Sequence, residues 1–151
     1  YLEEFRGTMF RQVMFAEFEK IIHEAAEAGE SLTREFFCQR YYELNQKYFS
    51  GYVEVDKEIE MEWGRIPHFY TSFYVYKYAT GFSAAVALSS AILKNGETAV
   101  EKYKKFLMSG GSDYPIELLK KAGVDLSDSK PIQSAMDEFE RVLDEFERYY
   151  S

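Results

Sequence analysis

Proline and glycine divide this chain into segments whose apolar residues recur every three or four positions, as on a buried helix face. Pro67, Pro115 and Pro131 each stand at the start of such a segment, where a helix does not need the missing N–H. Glycines close the segments and suit left-handed C-terminal caps: Gly29, Gly51, Gly96, Gly110 and Gly123. No apolar–polar alternation bounded by turn signals indicates a strand. The pattern predicts an all-α fold, a single compact domain of about six helices.

The same punctuation predicts where each helix begins and ends. The six helices are expected at about Leu2 to Ala28, Thr33 to Phe49, Pro67 to Lys94, Glu97 to Met108, Pro115 to Ala122 and Pro131 to Tyr150. Thr33 is a suitable N-cap, and Tyr52 to Ile66 is a connector with one helical turn after Asp56. The buried stripe of the first helix is expected to consist of Phe5, Met9, Val13, Phe15, Phe18 and Ile22.

Length and charge exclude several classes of protein. The 151 residues fit one domain that needs no disulfide or metal to fold. With 18 basic and 26 acidic residues, the net charge of −8 argues against nucleic-acid or anionic-membrane partners. The single Cys38 indicates a reducing compartment, and we therefore expect a cytoplasmic protein. No apolar run reaches the roughly 18 residues of a membrane span. Because the chain starts at Tyr1 inside an amphipathic pattern, we expect a piece of a larger protein.

Three metal or nucleophile motifs are weak. His23 opens HEAAE, which resembles the zinc signature HExxH, but Glu27 stands where the second histidine belongs, so a solvated helix end is favoured. Cys38 has large apolar neighbours and is expected to be a small buried side chain. A di-iron site would need Glu three residues before a histidine, and those positions hold Lys20 and Arg65.

The stretch RIPHFYTSFYVYKYATGFSAA, residues 65–85, concentrates hydroxylated aromatic rings and a histidine. On a continuous helix, one face would hold Phe69, Phe73 and Tyr76, and the adjoining face Tyr70, Tyr74 and Tyr78, with His68 at the helix start. Both faces could belong to a core. Alternatively, one face lines a cleft, where phenol and imidazole groups donate hydrogen bonds to an oxyanion or a peptide carbonyl.

Four stretches of the chain together resemble one family. FRGTMFRQVMFAEFE, LNQKYFSG, EWGRIPHFYTSFYVYKYATGFSAA and FLMSGGSDYPIELLKKAGVDL are similar, in that order, to the C-terminal part of the oligoendopeptidase F family of thimet-oligopeptidase-like zinc metallopeptidases. The resemblance covers nearly all 151 residues. It implies that residues 1–151 are the C-terminal helical domain of a zinc endopeptidase that hydrolyses oligopeptides.

The resemblance also implies that the zinc ligands and the hydrogen-bond donors to the substrate lie in different parts of the protein. In the family, zinc is held by HExxH and a downstream Glu, and both precede this region. No HExxH occurs here, so we expect the chain alone to bind no catalytic zinc, to have no metal ligands and to be inactive. His68 and Tyr76 match the family's catalytic donors to the tetrahedral intermediate. Tyr70 and Tyr74 are candidate second donors to the substrate.

Partners and alternatives follow from this interpretation. Arg65 either binds a peptide carboxylate or pairs with Glu60 or Glu62. The expected partners are an oligopeptide substrate and the N-terminal zinc-binding part of the same protein. Expressed alone, the piece is expected to form a homodimer or aggregate through the uncovered face of its first helix. The alternative hypothesis is a stand-alone helical interaction module that docks a partner helix on its aromatic face.

Overall fold

A computed structural model describes residues 1–51 and 53–150, and within these residues the fold is all-α, as predicted. Tyr52, the first residue of the predicted connector, and Ser151 lie outside the described residues. The helices are α1 (Leu2–Phe5), a π-helical turn (Arg6–Phe10), α2 (Arg11–Glu27), α3 (Arg34–Phe49), two 3₁₀ helices (Lys57–Arg65 and Pro67–Tyr70), α4 (Tyr76–Asn95), α5 (Glu97–Met108), α6 (Pro115–Ala122) and α7 (Lys130–Tyr150).

The chain forms two compact units, although one domain was expected from its length. One unit comprises Arg6–Ala79, and the other comprises Tyr1–Phe5 with Thr80–Ser151. Among the described residues, no helix is both long and apolar enough to cross a lipid bilayer.

The unit Arg6–Ala79 is built on a core of aromatic rings from α2 and α3. Its fully buried members are Met14, Phe15, Phe18, Tyr41, Leu44 and Val75. The ring of Phe18 meets that of Tyr41 edge-on with centroids 5.2 Å apart, a geometry that adds to the free energy of burial. Large rings thus fill the space between two helices that the sequence predicted correctly, including the Thr33 cap, whose hydroxyl accepts the Phe36 N–H.

The burial predicted for Val13, on the apolar face of the first helix, is wrong. Val13 is 38% exposed, whereas Met14, one position later, is completely buried. A π-helical turn at Arg6–Phe10 precedes α2 and holds one extra residue per turn, so it rotates the apolar positions relative to a straight α-helix. The stripe therefore continues through Met14 and Phe15.

Glu62 is a buried carboxylate that joins three elements of the same unit. It is 7% exposed and accepts hydrogen bonds from Arg11 of α2 at 2.7 Å, Tyr41 of α3 at 2.7 Å and Arg65 at 2.8 Å. Burial acts to raise the pKa of Glu62, but the hydrogen bonds from Tyr41 and Arg11 and the charges of Arg11 and Arg65 outweigh it and lower the pKa. The 3₁₀ helix Lys57–Arg65 is thereby held against α2 and α3.

The predicted helix from Pro67 to Lys94 is wrong in its first third. Pro67 opens a single 3₁₀ turn, residues 71–75 form bends, turns and irregular backbone, and α4 begins only at Tyr76. Phe73 has a φ of +56°, in the left-handed region, and its N–H donates to Glu19 of α2 instead of to a carbonyl within a helix. A tertiary hydrogen bond has therefore replaced the local helical pattern.

The second unit packs α4, α5 and α6 through small and aliphatic residues. Its core contains Ala84, Leu88, Ala122 and Val124. Gly123 ends α6 with φ +95° and ψ +14°, and the Val124 N–H reaches back to the Leu119 carbonyl at 3.0 Å, so glycine provides the predicted left-handed cap. Phe5 of α1 stacks on Phe139 of α7 with centroids 4.4 Å apart.

Loss of the Glu62 carboxylate should destabilise the unit Arg6–Ala79. We expect Glu62→Ala to lower the free energy of unfolding by about 2 kcal/mol, because the buried Tyr41 hydroxyl loses a charged acceptor while both arginines remain partly exposed to water. Glu58→Ala, on an exposed position of the same 3₁₀ helix, is the matched control and should change stability by less than about 0.5 kcal/mol. Urea unfolding measures both; equal effects would contradict the role assigned to Glu62.

Tyr48 should make stability depend on alkaline pH. Burial first, then its hydrogen bond to Glu17 and the charge of that carboxylate, raise the pKa of Tyr48 from 10.0 to about 12. The folded state therefore keeps a proton that the unfolded state loses, and this contribution is full below pH 10.0 and disappears as the pH rises through about 12. Tyr48→Phe should flatten the fall in stability across this range. Tyr149→Phe, which removes an exposed hydroxyl, should leave the fall unchanged.

Candidate functional site

His68 is placed by its two neighbours in the sequence. Pro67 begins the 3₁₀ turn after the extended residue Ile66. The ring of Phe69 packs into the aromatic core, 5.4 Å from Phe15 and 5.3 Å from Phe18 between centroids. Phe69 is therefore a partly buried residue packed against the core, and the adjacent His68 is also half-buried. The core fixes the backbone at this point, and the imidazole remains accessible.

Three rings of the aromatic stretch gather into one cluster. The imidazole of His68 stacks nearly parallel on Tyr74, with centroids 5.6 Å apart and planes inclined by 11°. Tyr78 meets His68 edge-on at 5.9 Å and Tyr74 at 5.6 Å. The hydroxyl of Tyr78 donates to that of Tyr74 across 3.4 Å. We call His68, Tyr74 and Tyr78 the ring cluster.

The ring cluster offers hydrogen-bond donors on the surface of its unit. Tyr74 is 37% exposed and Tyr78 is 38% exposed, so neither phenol lies in the core. The pKa of Tyr78 is raised above its ordinary value, first by the hydrogen bond it donates to Tyr74 and then by desolvation and by the charge of a Tyr74 phenolate. The Lys77 ammonium lies 5.4 Å from the centre of the Tyr74 ring. The cluster therefore presents two phenol hydroxyls and an imidazole at the surface of its unit.

The remaining predicted site residues lie near the cluster in sequence. Tyr76 is the first residue of α4 and is 48% exposed, and Tyr70 ends the 3₁₀ turn and is 83% exposed. Arg65 donates to Glu62 at 2.8 Å, which confirms the pairing that the sequence offered as one of two roles. Its guanidinium nevertheless stays largely exposed, with 76% of the side chain accessible.

The two predicted faces of one continuous helix are wrong, because the chain turns at Phe73. Tyr74 and Tyr78 do lie together as predicted, but His68 joins them instead of Tyr70. Tyr78 was not predicted as a site residue, although its four-residue spacing from Tyr74 was a usable signal. No local pattern indicates Glu19, whose partner is a backbone N–H 54 positions away.

The weak motifs have structural roles. Glu24 is exposed and lies 3.6 Å from Lys20, and the ring of His23 lies against Phe73 with centroids 4.6 Å apart. Cys38 is buried, as predicted, with its sulfur 3.2 Å from that of Met61. Within the described ranges 1–51 and 53–150, no three His, Cys, Asp or Glu side chains converge as metal ligands would. These residues do not provide a zinc site.

An apolar cavity of about 800 Å³ lies within the unit that contains Thr80–Ser151. Small, aliphatic and aromatic side chains of α4 to α6 line it, among them Ala84, Leu88, Phe106 and Leu119. Asp113, a carboxylate at its wall, is paired with Lys121 at 2.8 Å. None of the predicted donors lines this cavity, so the ring cluster is the candidate functional site.

The hydrogen bond between the two phenols can be tested directly. We expect Tyr74→Phe to shift the pKa of Tyr78 downward, because the proton of Tyr78 loses its acceptor and the neighbouring ring can no longer ionise. NMR of ring-labelled tyrosine during an alkaline titration measures the shift. Tyr70→Phe, at an exposed position outside the cluster, is the control; an equal shift in both variants would show that the contact is not formed in solution.

The chain is similar to a protein-family model, to known proteins and to solved structures. The model of peptidase family M3 matches residues 1–138. Oligopeptidase PepF of Bacillus subtilis (strain 168) is 59% identical over 146 residues, and the plasmid-encoded oligoendopeptidase F of Lactococcus lactis subsp. cremoris is 47% identical over 148 residues. The crystal structure of oligoendopeptidase-F from Enterococcus faecium superimposes with a TM-score of 0.95 at 50% identity over 98% of this chain.

The matched relatives are much longer than this chain. The match to the Bacillus protein covers 97% of this chain but 22% of that protein, and the match to the Lactococcus protein covers 98% of this chain but 25% of that protein. The match to the Enterococcus structure covers 28% of that chain. The chain thus spans about a quarter of the length of the curated relatives it matches. Because the family model covers most of the residues, and the relatives and the solved structure agree with it, the chain belongs to peptidase family M3.

Proposed function

We propose that this chain forms one wall of the substrate cleft in a zinc-dependent oligoendopeptidase, and that it corresponds to the C-terminal part of that enzyme. Membership of family M3 and the names of its relatives support peptide hydrolysis as the activity of the intact protein. The observation that carries the proposal is the ring cluster, in which a core-fixed backbone holds an imidazole and two phenols at an exposed surface.

The proposed chemistry is stabilisation of developing charge. When water adds to a peptide carbonyl, negative charge accumulates on the carbonyl oxygen. Donors that are already oriented stabilise this state more than the ground state. His68 and Tyr76 are proposed as the catalytic donors, because an imidazole N–H and a phenol O–H can each donate a hydrogen bond to the oxyanion.

Neighbouring residues are proposed to bind the peptide. Tyr74 stacks on His68 and thereby limits the rotation of the imidazole, while its hydroxyl can meet a substrate carbonyl. Tyr70 is the most exposed of these rings and is placed at the edge of the site. Arg65 remains a candidate for binding a peptide carboxylate, since its pairing with Glu62 leaves most of the guanidinium accessible.

The zinc ion is assigned to residues outside this chain. Family membership suggests a zinc enzyme, but the residues in the described ranges do not supply a ligand set. The chain's own contribution is therefore limited to orienting the peptide and donating hydrogen bonds. Cut off from that metal-binding part, it should hydrolyse no peptide.

Further proposals concern the location of the protein, the oligomeric state of the isolated piece and the alternative function. A cytoplasmic location is proposed, and the free, buried thiol of Cys38 supports it because thiols stay reduced there. A homodimer of the isolated piece remains a prediction. The alternative of a stand-alone interaction module is not favoured, because the relatives that match nearly the whole chain are named as peptidases.

The donor role predicts a loss of turnover without a loss of metal. In the intact peptidase, His68→Ala and Tyr76→Phe should each lower kcat by about 10²- to 10³-fold, because each removes a donor to the oxyanion. Zinc content, measured by elemental analysis, should stay at the wild-type value. The readout is cleavage of an internally quenched fluorogenic oligopeptide.

Controls identify which phenol acts. Tyr114→Phe removes an exposed hydroxyl outside the ring cluster and should leave kcat unchanged. Tyr74→Phe and Tyr78→Phe, measured beside Tyr76→Phe, rank the three hydroxyls. Wild-type turnover in the His68 variant and in all three tyrosine variants would remove this segment from the catalytic site.

A further inference from the structure

The backbone at Phe73 is in a conformation that a bulky residue rarely adopts. Its φ is +56°, and among the described residues it is the one non-glycine position with a positive φ. For an aromatic residue this region is strained, because the Cβ crowds the neighbouring carbonyl. Such a conformation persists only where surrounding contacts determine it, and strained residues occur often beside functional sites. Phe73 immediately precedes Tyr74 of the ring cluster.

Glu19 of α2 is the contact that holds this turn. Its carboxylate accepts the Phe73 N–H at 2.5 Å, and the residue is only 3% exposed. The Phe73 ring lies against His23, one helical turn further along α2, with centroids 4.6 Å apart. Both the backbone and the side chain of Phe73 are therefore bound to a single helix of the core.

Core residues fix the chain on both sides of the turn. Phe69 packs between Phe15 and Phe18, and Val75 is completely buried in the same aromatic core. Between these two points the chain continues without a helix, since residues 71–75 are bends, turns and irregular backbone. The conformation at Phe73 therefore decides how Tyr74 meets the imidazole of His68.

We propose that Glu19 is a positioning residue: it holds the left-handed turn at Phe73 and so sets the placement of the tyrosine donors beside His68. This inference rests on the proposed function, since it assigns a role in catalysis to a residue that need not touch the substrate. A carboxylate can do this because it accepts the Phe73 N–H, which lies in a segment that does not form a regular helix.

Glu17 shows what an ordinary scaffold carboxylate of α2 does. It binds the side chains of Lys47 at 2.5 Å and Tyr48 at 2.8 Å and so joins α2 to α3. Both glutamates make a tertiary hydrogen bond from the same helix, but only Glu19 contacts the segment that carries the ring cluster. Glu17→Ala is therefore a matched control for the general cost of removing a carboxylate from α2.

The test uses the intact peptidase and two independent readouts. Glu19→Ala, Glu19→Gln and Glu17→Ala are compared in kcat, KM and zinc content, with an internally quenched fluorogenic oligopeptide as substrate. Hydrogen–deuterium exchange of the peptide that covers residues 69–76 reports the hydrogen bond of the Phe73 amide without reference to activity.

We expect Glu19→Ala to lower kcat by about 10- to 100-fold with little change in KM, because misplacing a reacting group by about 1 Å costs about 100-fold. Exchange over residues 69–76 should become faster, and zinc content should stay full. Glu19→Gln retains a carbonyl oxygen that can accept the Phe73 N–H, so it should recover most of the activity. Glu17→Ala should leave kcat and exchange at residues 69–76 unchanged.

A second comparison isolates the strain at Phe73. Phe73→Ala and Phe73→Gly both remove the ring, but glycine adopts a positive φ without strain and alanine does not. If Glu19 acts by holding this turn, adding Glu19→Ala to the Phe73→Ala variant should lower kcat further. Adding Glu19→Ala to the Phe73→Gly variant should lower kcat several-fold less. Equal losses in the two combinations would overturn the inference.

The outcomes separate this inference from the proposed function. Unchanged exchange at residues 69–76 in Glu19→Ala would overturn the inference, whatever the activity. Faster exchange with wild-type kcat, while His68→Ala still loses turnover, would also overturn it and leave the proposed function standing. Wild-type turnover in His68→Ala and in the tyrosine variants, all with Glu19 intact, would instead contradict the proposed function.

Discussion

The carboxylate of Glu62 is the interaction on which the placement of the candidate site depends. It accepts hydrogen bonds from Arg11 of α2, Tyr41 of α3 and Arg65, at the end of the 3₁₀ helix. A buried carboxylate is stable only when its oxygens have partners, and here these come from three separate elements. His68 lies three residues after Arg65, so the network fixes the point from which the candidate site starts.

A second buried carboxylate completes the arrangement further along the chain. Glu19 binds the backbone at Phe73, just beyond the 3₁₀ turn that holds His68. Between the two glutamates, Phe69 and Val75 contribute apolar groups to the core, while His68 and Tyr74 stay accessible. The segment therefore alternates between residues that stabilise the unit and residues that stay accessible at its surface. This alternation explains why an aromatic-rich stretch serves both as core and as surface.

Helix ends that depend on short-range interactions were predicted from the sequence, and those that depend on long-range contacts were not. The bounds of α3, α5 and α6 agree closely with the sequence because caps, prolines and glycines act within a few residues. The start of α4 was missed because the Phe73 N–H binds Glu19, 54 positions earlier. Periodicity alone favoured a helix through residues 71–75, and nothing local marked the turn. Val13 was placed in the core for a similar reason, since a π-helical turn was not visible in the spacing.

The sequence by itself determined the all-α class, most helix ends and the stretch that contains the candidate donors, because these depend on local backbone preferences and on residue type. The tertiary structure decided which of those donors meet: His68 with Tyr74 and Tyr78, and not the face that a straight helix would present. The physical reason is that two buried carboxylates, Glu62 and Glu19, bind groups distant in sequence. The hydrogen bond from the Phe73 N–H to Glu19 also takes the place of the helix that the local pattern favours before Tyr76.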